Sequence, residues 1–177
     1  MFRSAPMSPT AREQAFVVLL DQHAGILRKV AASYSRTSAD RHDLMQEISL
    51  QLWKAYPRYT PERSFSTWMY RIALNVAISH LRRNSRPSRQ TVPLEEECDV
   101  AAASRDENEP DERLGFLRHV IAQLEPLSRA LLLLYLDDRP YREIASILGL
   151  SETNVATKLS RLKQHLRTEI VRLTKQP

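Results

Sequence analysis

The segment from residue 141 to residue 166 constrains the fold more than any other part of the chain. It runs YREIASILGLSETNVATKLSRLKQHL, with apolar residues at helical spacing on both sides of one glycine. Gly149 can adopt the left-handed conformation that ends a helix, and Ser151 can cap the next helix by accepting a hydrogen bond from a free backbone amide. Ala145 is small enough for the two helices to cross closely. The segment therefore predicts a helix-turn-helix whose longer helix starts at Ser151.

The second helix of this motif has two different faces. Val155, Leu159, Leu162 and Leu166 share one face, which we expect to be buried. In the major groove of DNA, Asn and Arg can pair with purine edges while Lys, Ser and Thr contact phosphates. The opposite face is therefore predicted to bind duplex DNA through Ser151, Thr153, Asn154, Thr157, Lys158 and Arg161. A polar face alone also fits an ordinary solvated helix. The glycine turn, the serine cap and the spaced apolar core together favour the DNA-binding interpretation.

The remainder of the chain also has a helical character. Only three of 177 residues are glycine and 7% are aromatic, whereas strand-rich folds need more glycine turns and β-branched runs. One amphipathic helix is predicted over residues 11–35, followed by a break at residues 37–41. A second helix ends before Pro57, and a third begins after Ser64 or Ser66 and runs to about residue 83. We predict an all-α protein.

An acidic segment divides the chain. Residues 86–112 contain nine acids and three arginines, a net charge of −6, whereas the whole chain carries +5, so the remainder carries +11. The segment also has prolines, serines and no sustained apolar period, as linkers do. The predicted organisation is two small helical domains joined by a flexible acidic linker. Its boundaries are a disordered leader at 1–10, an N-terminal domain at 11–85, the linker at 86–110 and a C-terminal helix-turn-helix domain at 111–177.

Arginines and aromatic residues concentrate in the second half of the N-terminal domain. Residues 63–90 contain six arginines and no acid, and six of the twelve aromatic residues lie between residues 53 and 70. Single-stranded DNA is bound by such a combination, because bases stack on aromatic rings and arginine contacts the backbone. The alternative is that Phe65 and Trp68 simply pack in the core.

Several classes of protein are disfavoured by composition. The single cysteine, Cys98, allows neither an intrachain disulfide nor a multi-cysteine zinc site, and it fits a reducing cytosol. No apolar stretch approaches the roughly 20 residues that span a bilayer, and no signal peptide is apparent, so we expect a cytoplasmic protein without membrane insertion. No P-loop or paired carboxylate cluster is present and the five histidines are scattered. We predict no cofactor, no metal and no enzymatic activity.

Three segments, in order, resemble a known family. They are DLMQEISLQLWKAYPRY at 43–59, FSTWMYRIALNVAISHLRR at 65–83 and YREIASILGLSETNVATKLSRLK at 141–163. Together they resemble the conserved regions of extracytoplasmic-function sigma factors, which belong to the sigma-70 family of bacterial RNA polymerase. The resemblance implies a two-domain sigma factor that melts and captures the minus-ten promoter element and recognises the minus-thirty-five element as duplex.

The same resemblance assigns roles to residues of the N-terminal domain. It implies that core RNA polymerase is bound, on the clamp, by Asp43, Leu44, Gln46, Glu47 and Trp53. It implies that the minus-ten element is held and melted by Tyr59, Arg63, Trp68, Tyr70, Arg71, Asn75, Arg82 and Arg83. The implied partners are core RNA polymerase (clamp and flap of its two large subunits), promoter DNA and an anti-sigma factor.

Two other functions remain open at this point. The first is a helix-turn-helix activator that binds duplex DNA without joining polymerase. Such an activator would usually carry an α/β receiver or a ligand pocket, and the sequence shows neither. The second is an enzyme such as a nuclease, for which no catalytic motif is present.

Overall fold

The computed structural model describes residues 9–84 and 120–174, and all regular elements in these two ranges are helical. The first range contains α1 (Pro9–Gln22), α2 (Ala24–Tyr34), α3 (Ser38–Ala55), a 3-10 turn (Tyr56–Arg58) and α4 (Phe65–Asn84). The second contains α5 (Pro126–Leu136), α6 (Tyr141–Leu148) and α7 (Glu152–Thr174), preceded by a helical stretch at 120–123. The predicted all-α fold with two helical domains is confirmed. The predicted linker at 86–110, with Cys98, lies outside the described residues, as do residues 1–8.

The single helix predicted over residues 11–35 is wrong, because the structure divides it at His23. The amide of Ile26 bonds to the carbonyl of His23 at 2.9 Å, which is a tighter turn than that of an α-helix. Gly25 follows the break and has low helix propensity, while the His23 ring packs against Phe65 at 5.3 Å. The helix also begins earlier than expected, at Pro9, so the last two residues of the predicted leader are helical.

The ends of the other helices follow local chemistry. The side chain of Thr37 accepts a hydrogen bond from the Asp40 amide at 3.1 Å, so α3 starts at Ser38 and the predicted break at 37–41 is shorter than expected. Ser64 caps α4 by accepting from the Thr67 amide at 3.3 Å, as one of the two predicted caps. Pro126 lies in the first turn of α5, where a missing N–H costs nothing.

The N-terminal core is formed by α2, α3 and α4. The apolar faces of these helices are buried against one another, and Phe16 of α1 packs at the edge of the same core. Val30, Leu44, Ile48, Leu52 and Met69 have no exposed surface. Close packing of this kind fixes the relative orientation of α3 and α4, whose outer faces carry most of the predicted site residues.

The C-terminal core joins α5, α6 and α7. Leu131 and Leu134 of α5 pack against Ile144 of α6 and Leu159 of α7, and all four are essentially inaccessible to solvent. Gly149 ends α6 in the left-handed conformation at φ 68° and ψ 35°. The Asn154 amide donates to the Ser151 side chain at 3.2 Å, which caps α7. The predicted helix-turn-helix geometry is therefore confirmed.

Candidate nucleic-acid interface

The outer face of α7 is open to solvent. Val155, Leu159 and Leu162 point into the C-terminal core. The predicted duplex-binding residues are all exposed: Ser151, Thr153, Asn154, Thr157, Lys158 and Arg161. The hydroxyl of Thr157 donates back to the Thr153 carbonyl at 2.9 Å, so part of its bonding capacity is used within the helix. The structure brings the whole predicted set together on one helix face, with two cations and one amide available to a ligand.

Aromatic side chains of the N-terminal domain form one connected group, which we call the aromatic cluster; it comprises Phe16, Trp53, Tyr56, Tyr59, Phe65 and Trp68. Tyr59 lies near its centre, with its ring 5.1 Å from Trp68, 5.5 Å from Phe65 and 6.0 Å from Tyr56. The Tyr59 hydroxyl donates to the Arg63 carbonyl at 3.1 Å and thereby closes the loop between the 3-10 turn and α4. Burial, and then the neighbouring Tyr56, raise the pKa of Tyr59, so this hydroxyl stays protonated.

The aromatic cluster combines packing with accessible rings. Phe65 is buried, in agreement with the packing alternative, whereas Tyr59 and Trp68 are only half-buried. Arg63, whose side chain is exposed, lies in the loop that separates Tyr59 from α4 and Trp68. A half-buried aromatic ring supported from below is suited to stacking, because little side-chain freedom is lost when a base contacts it.

A basic and polar stripe runs along the outside of α4. Arg71, Asn75 and Arg82 are exposed at spacings of four and seven residues from one another, and Trp68 precedes them by three. These positions share one helix face. We call Trp68, Arg71, Asn75 and Arg82 the α4 stripe. The stripe begins at Trp68 of the aromatic cluster. Aromatic rings that can stack on bases therefore adjoin side chains that can donate hydrogen bonds to a nucleic-acid backbone.

Arg83 differs from the arginines of the α4 stripe because it is engaged within the protein. Its Nη2 donates to the Glu47 carboxylate at 2.8 and 2.7 Å, which joins α4 to α3. His80 lies between the same carboxylate at 3.3 Å and Asp40 at 2.7 Å. Partial burial acts to raise the pKa of Glu47, but the hydrogen bonds from Arg83 and His80 outweigh it and lower the pKa.

The predicted polymerase-binding residues divide between the surface and the interior of α3. Asp43, Gln46 and Trp53 are exposed, whereas Leu44 is 0% exposed and Glu47 is bound to α4. The structure therefore places Leu44 in the core beneath this face. Leu50, which the sequence reasoning missed, is 49% exposed between Gln46 and Trp53. The buried face of α3 carries Leu44, Ile48 and Leu52. Leu50 lies off this face, and that spacing in the sequence would have indicated an exposed apolar residue.

Tyr70 does not join the other predicted minus-ten residues. It is 0% exposed, and its hydroxyl donates to Asp137 of the C-terminal domain at 2.9 Å. Burial, followed by the hydrogen bond to Asp137, raises its pKa above the ordinary value of a phenol. In this conformation Tyr70 is an interdomain residue.

Among the described residues, no group of three or more His, Cys, Asp or Glu side chains is arranged to hold a metal ion. The helices in the described ranges include none that is long and apolar enough to cross a membrane.

The fold and these surfaces define a helical DNA-binding protein with a helix-turn-helix in its second domain. Comparison with protein families identifies it further, because the family profile described as Sigma-70 region 2 matches residues 19–87 and the profile described as Sigma-70, region 4 matches residues 117–166. The chain belongs to the sigma-70 family, as the resemblance to extracytoplasmic-function members predicted. Sigma factors are not enzymes, so the nuclease alternative falls away.

Named relatives agree with this assignment. The ECF RNA polymerase sigma factor SigE of Mycolicibacterium smegmatis is 30% identical over 154 residues, which cover 84% of this chain and 59% of the relative. RfaY of Xanthomonas campestris is 27% identical over 176 residues, covering 94% of this chain and 43% of the relative. The ECF RNA polymerase sigma-E factor of Escherichia coli is 28% identical over 170 residues, which cover 89% of this chain and 87% of the relative. The chain thus spans about half the length of the first two.

Solved structures share the fold. CnrH, in complex with the cytosolic domain of CnrY, superposes with a TM-score of 0.63 at 21% identity, covering 89% of this chain and 88% of CnrH. The sigma factor RpoE of Bartonella quintana, in complex with the anti-sigma factor NepR, superposes with a TM-score of 0.61 at 19% identity. The match covers 88% of this chain and 94% of RpoE.

Proposed function

We propose that this chain binds core RNA polymerase and directs promoter-specific transcription initiation as a sigma factor. The observation that carries this proposal is the pairing of two different nucleic-acid surfaces in one chain. The outer face of α7 offers groove-reading side chains, whereas the aromatic cluster and the α4 stripe offer rings and cations suited to unpaired bases. A protein that only bound duplex DNA would need the first surface alone.

The proposed minus-thirty-five contact is made by the outer face of α7 in the major groove. Asn154, Lys158 and Arg161 are spaced by one helical turn, so they follow the groove floor together. Asn and Arg supply the bidentate geometry that distinguishes purines, while Ser151 and Thr153 lie at the helix N-terminus, where phosphate is favoured.

The proposed minus-ten contact captures bases that leave the stack. Tyr59 and Trp68 provide accessible ring surface, and the exposed Arg63, in the loop between them in sequence, supplies a cation for the backbone. Each stacked base contributes about 1–3 kcal/mol, which offsets the cost of unpairing. Arg71, Asn75 and Arg82 extend this surface along α4 toward the upstream edge of the melted region. Arg83 contributes by fixing α4 on α3, and Tyr70 becomes available to DNA only if its bond to Asp137 opens.

The proposed polymerase contact is the outer face of α3. Asp43, Gln46 and Trp53 are exposed there, and Leu50 adds an apolar surface between them. An aromatic and a leucine rimmed by polar groups have the composition of an interface core. Leu44 and Glu47 support this face from the interior and from α4. We also propose a protein inhibitor for the chain, since the similar fold of RpoE from Bartonella quintana is seen with an anti-sigma factor.

Run-off transcription with core RNA polymerase on genomic promoter fragments tests the proposal. Added protein is expected to give discrete start sites that core polymerase alone does not give. If duplex DNA is bound but no specific initiation occurs with any fragment, the sigma-factor function is refuted and the activator alternative is favoured.

A pair of matched variants tests the melting surface. Asn75→Ala removes an exposed amide from the α4 stripe, whereas Gln14→Ala removes an exposed amide from α1. Asn75→Ala is expected to reduce open-complex formation on a duplex promoter. On a template whose minus-ten element is mismatched and already open, the same variant is expected to regain wild-type activity. The second is expected to behave as wild type on both. Equal activity of the two variants on duplex promoter would contradict the assignment of the α4 stripe.

A further inference from the structure

The outer face of α7 carries a row of polar and basic side chains that is longer than the predicted duplex-binding set. Asn154, Lys158 and Arg161 are followed, at the same alternation of four and three residues, by three more exposed positions. Positions spaced in this way fall on one face of an α-helix. We call this row the α7 stripe; it comprises Asn154, Lys158, Arg161, His165, Thr168 and Arg172.

The C-terminal half of the α7 stripe lies largely outside the family match. The profile described as Sigma-70, region 4 ends at residue 166, so Thr168 and Arg172 are beyond it. The predicted duplex-binding set ends earlier still, at Arg161. The helix nevertheless continues without a break to Thr174, and the same face therefore keeps its orientation along the whole stripe.

The α7 stripe is separate from the face that holds the helix in its domain. Val155, Leu159 and Leu162 are buried in the C-terminal core, whereas all six stripe positions are exposed. Within the described residues, no hydrogen bond or ion pair joins the side chains of His165 or Arg172 to the rest of the protein. These two side chains are therefore available to a ligand.

Other charged residues of α7 are placed differently. The Lys163 ammonium, on another face of the helix, lies 3.9 Å from the Tyr135 ring centroid and is used in packing. Glu169 is half-buried, and within the described part of the chain it forms no ion pair with Arg172. An ordinary solvated helix face mixes charges of both signs. The α7 stripe has three cations and no acid, which favours an anionic partner.

The length of the α7 stripe limits what each half can contact. Asn154 to Arg161 spans about 10 Å at about 1.5 Å per residue, which fits a major groove about 12 Å wide. The whole stripe, from Asn154 to Arg172, spans about 27 Å at the same rise. A straight helix cannot follow a groove that winds around the duplex, and the N-terminal residues of a recognition helix are the ones that contact base edges. The C-terminal half therefore extends over the sugar-phosphate backbone that borders the groove.

We propose that His165 and Arg172 bind phosphates of the duplex that flanks the minus-thirty-five element, and so extend the contact of the predicted residues by two helical turns. This inference rests on the proposed function. Arg172 supplies a charge-assisted contact, and the His165 ring has an N–H donor in either tautomer. The Thr168 hydroxyl already donates to the Gln164 carbonyl at 3.0 Å, so Thr168 is a small side chain between the two contacts.

The two halves of the α7 stripe then have different effects on binding. Contacts to phosphate position a protein and raise its affinity for any sequence, whereas contacts to base edges discriminate between sequences. Asn154, Lys158 and Arg161 determine which element is preferred. His165 and Arg172 strengthen binding to every duplex that is long enough to reach them.

The salt dependence of duplex binding by the full chain tests the contact. Each neutralised phosphate contributes about 0.9 to the slope of log affinity against log salt concentration. Arg172→Ala is expected to reduce this slope by about 0.9, which corresponds to about eightfold weaker binding at about 0.1 M salt relative to about 1 M. The effect needs no particular sequence, so fluorescence anisotropy titrations on a duplex of mixed sequence measure it.

Arg167 supplies a matched control. It is exposed on the same helix, five residues from Arg172, but it lies off the α7 stripe. Arg167→Ala removes the same charge and is expected to keep the wild-type slope, and Arg172→Lys, which retains the charge, is expected to restore it. A wild-type slope in Arg172→Ala would overturn the proposal. Equal losses in the Arg167→Ala and Arg172→Ala variants would also overturn it, because they would reflect net charge alone.

Shortened DNA distinguishes a direct contact from a structural effect. Arg172 lies in the last turn of α7, where a cation also stabilises the helix end. On a duplex cut back to the element of a promoter located by run-off transcription, wild type is expected to bind no more tightly than Arg172→Ala. If the variant keeps its deficit on this short duplex, its effect comes from the helix itself and the proposal is refuted.

Arg161→Ala separates failure of this inference from failure of the proposed function. If Arg161→Ala weakens duplex binding and Arg172→Ala does not, the extension is wrong while the minus-thirty-five contact stands. If neither variant weakens binding, the outer face of α7 is not a DNA surface and both proposals fail. An Arg172→Ala chain that binds duplex as wild type does but assembles poorly with core polymerase would assign this half of the stripe to a protein contact and overturn the inference.

Discussion

Replacing Gly149 by alanine should destabilise the C-terminal domain through backbone strain alone. Gly149 has a φ of 68°, and a Cβ placed there would meet no atom within 4 Å. No steric clash contributes, so the cost is that of placing an L-residue in the left-handed region, about 1–2 kcal/mol. That is a substantial part of the roughly 5–15 kcal/mol by which most domains are stable.

Gly25 provides the matched comparison for this substitution. It lies in the first turn of α2, where a Cβ would also meet no atom within 4 Å, and its φ is not positive. Gly25→Ala should therefore raise the free energy of unfolding, by at most about 1 kcal/mol, because alanine has the higher helix propensity. Urea unfolding followed by circular dichroism measures both changes. The reasoning fails if Gly149→Ala is as stable as wild type, or if both substitutions shift stability in the same direction.

Three further predictions concern the DNA contact, the core and the response to acid. Arg161→Ala should weaken binding to minus-thirty-five duplex by about 1–3 kcal/mol. Arg167 is exposed on the same helix but lies outside the predicted face, so Arg167→Ala should change the affinity little. Fluorescence anisotropy titrations of the two variants compare their affinities. Leu159→Ala should lower the free energy of unfolding by about 2–5 kcal/mol, measured by urea denaturation, because Leu159 is buried between α7 and the rest of its domain. Glu47→Gln should cost at most about 1 kcal/mol at neutral pH, since the ion pair with Arg83 is partly exposed. The pKa of Glu47 is lowered in the folded chain, so the stability that its charge contributes is fully present above the ordinary carboxyl pKa of about 4.3. The difference in unfolding free energy between wild type and Glu47→Gln should therefore disappear as the pH falls through the lowered pKa. A difference that stays constant at low pH would contradict this reasoning.

The features that were predictable from the sequence depend on neighbouring residues. Gly149 and Ser151 define the turn of the helix-turn-helix within three positions of each other, and Ser64 caps α4 from the adjacent residue. The buried face of α7 follows from a spacing of three and four residues. Such patterns are short enough that the tertiary environment does not alter them.

The features that the sequence did not reveal depend on distant residues. Periodicity continues through His23, and Gly25 alone did not indicate a break there; the contact of the His23 ring with the distant Phe65 appears only in the structure. Tyr70 is an aromatic residue in a segment rich in predicted DNA contacts. Its hydroxyl nevertheless binds Asp137, which lies 67 positions further along the chain. Leu44 shares a helix with exposed Asp43 and Gln46, and its burial depends on which face of α3 meets α2 and α4.

The outer face of α7 has a consequence for how promoter preference can diverge among related chains. Within the described residues, no hydrogen bond or ion pair ties the side chains of Asn154, Lys158 or Arg161 to the rest of the protein, while Val155 and Leu159 beneath them hold the helix in place. If this face reads the minus-thirty-five element as proposed, substitutions at the three exposed positions would alter the preferred base sequence at little cost to folding. By the same proposal, one set of target genes could be exchanged for another through changes on this face while every buried residue stays the same.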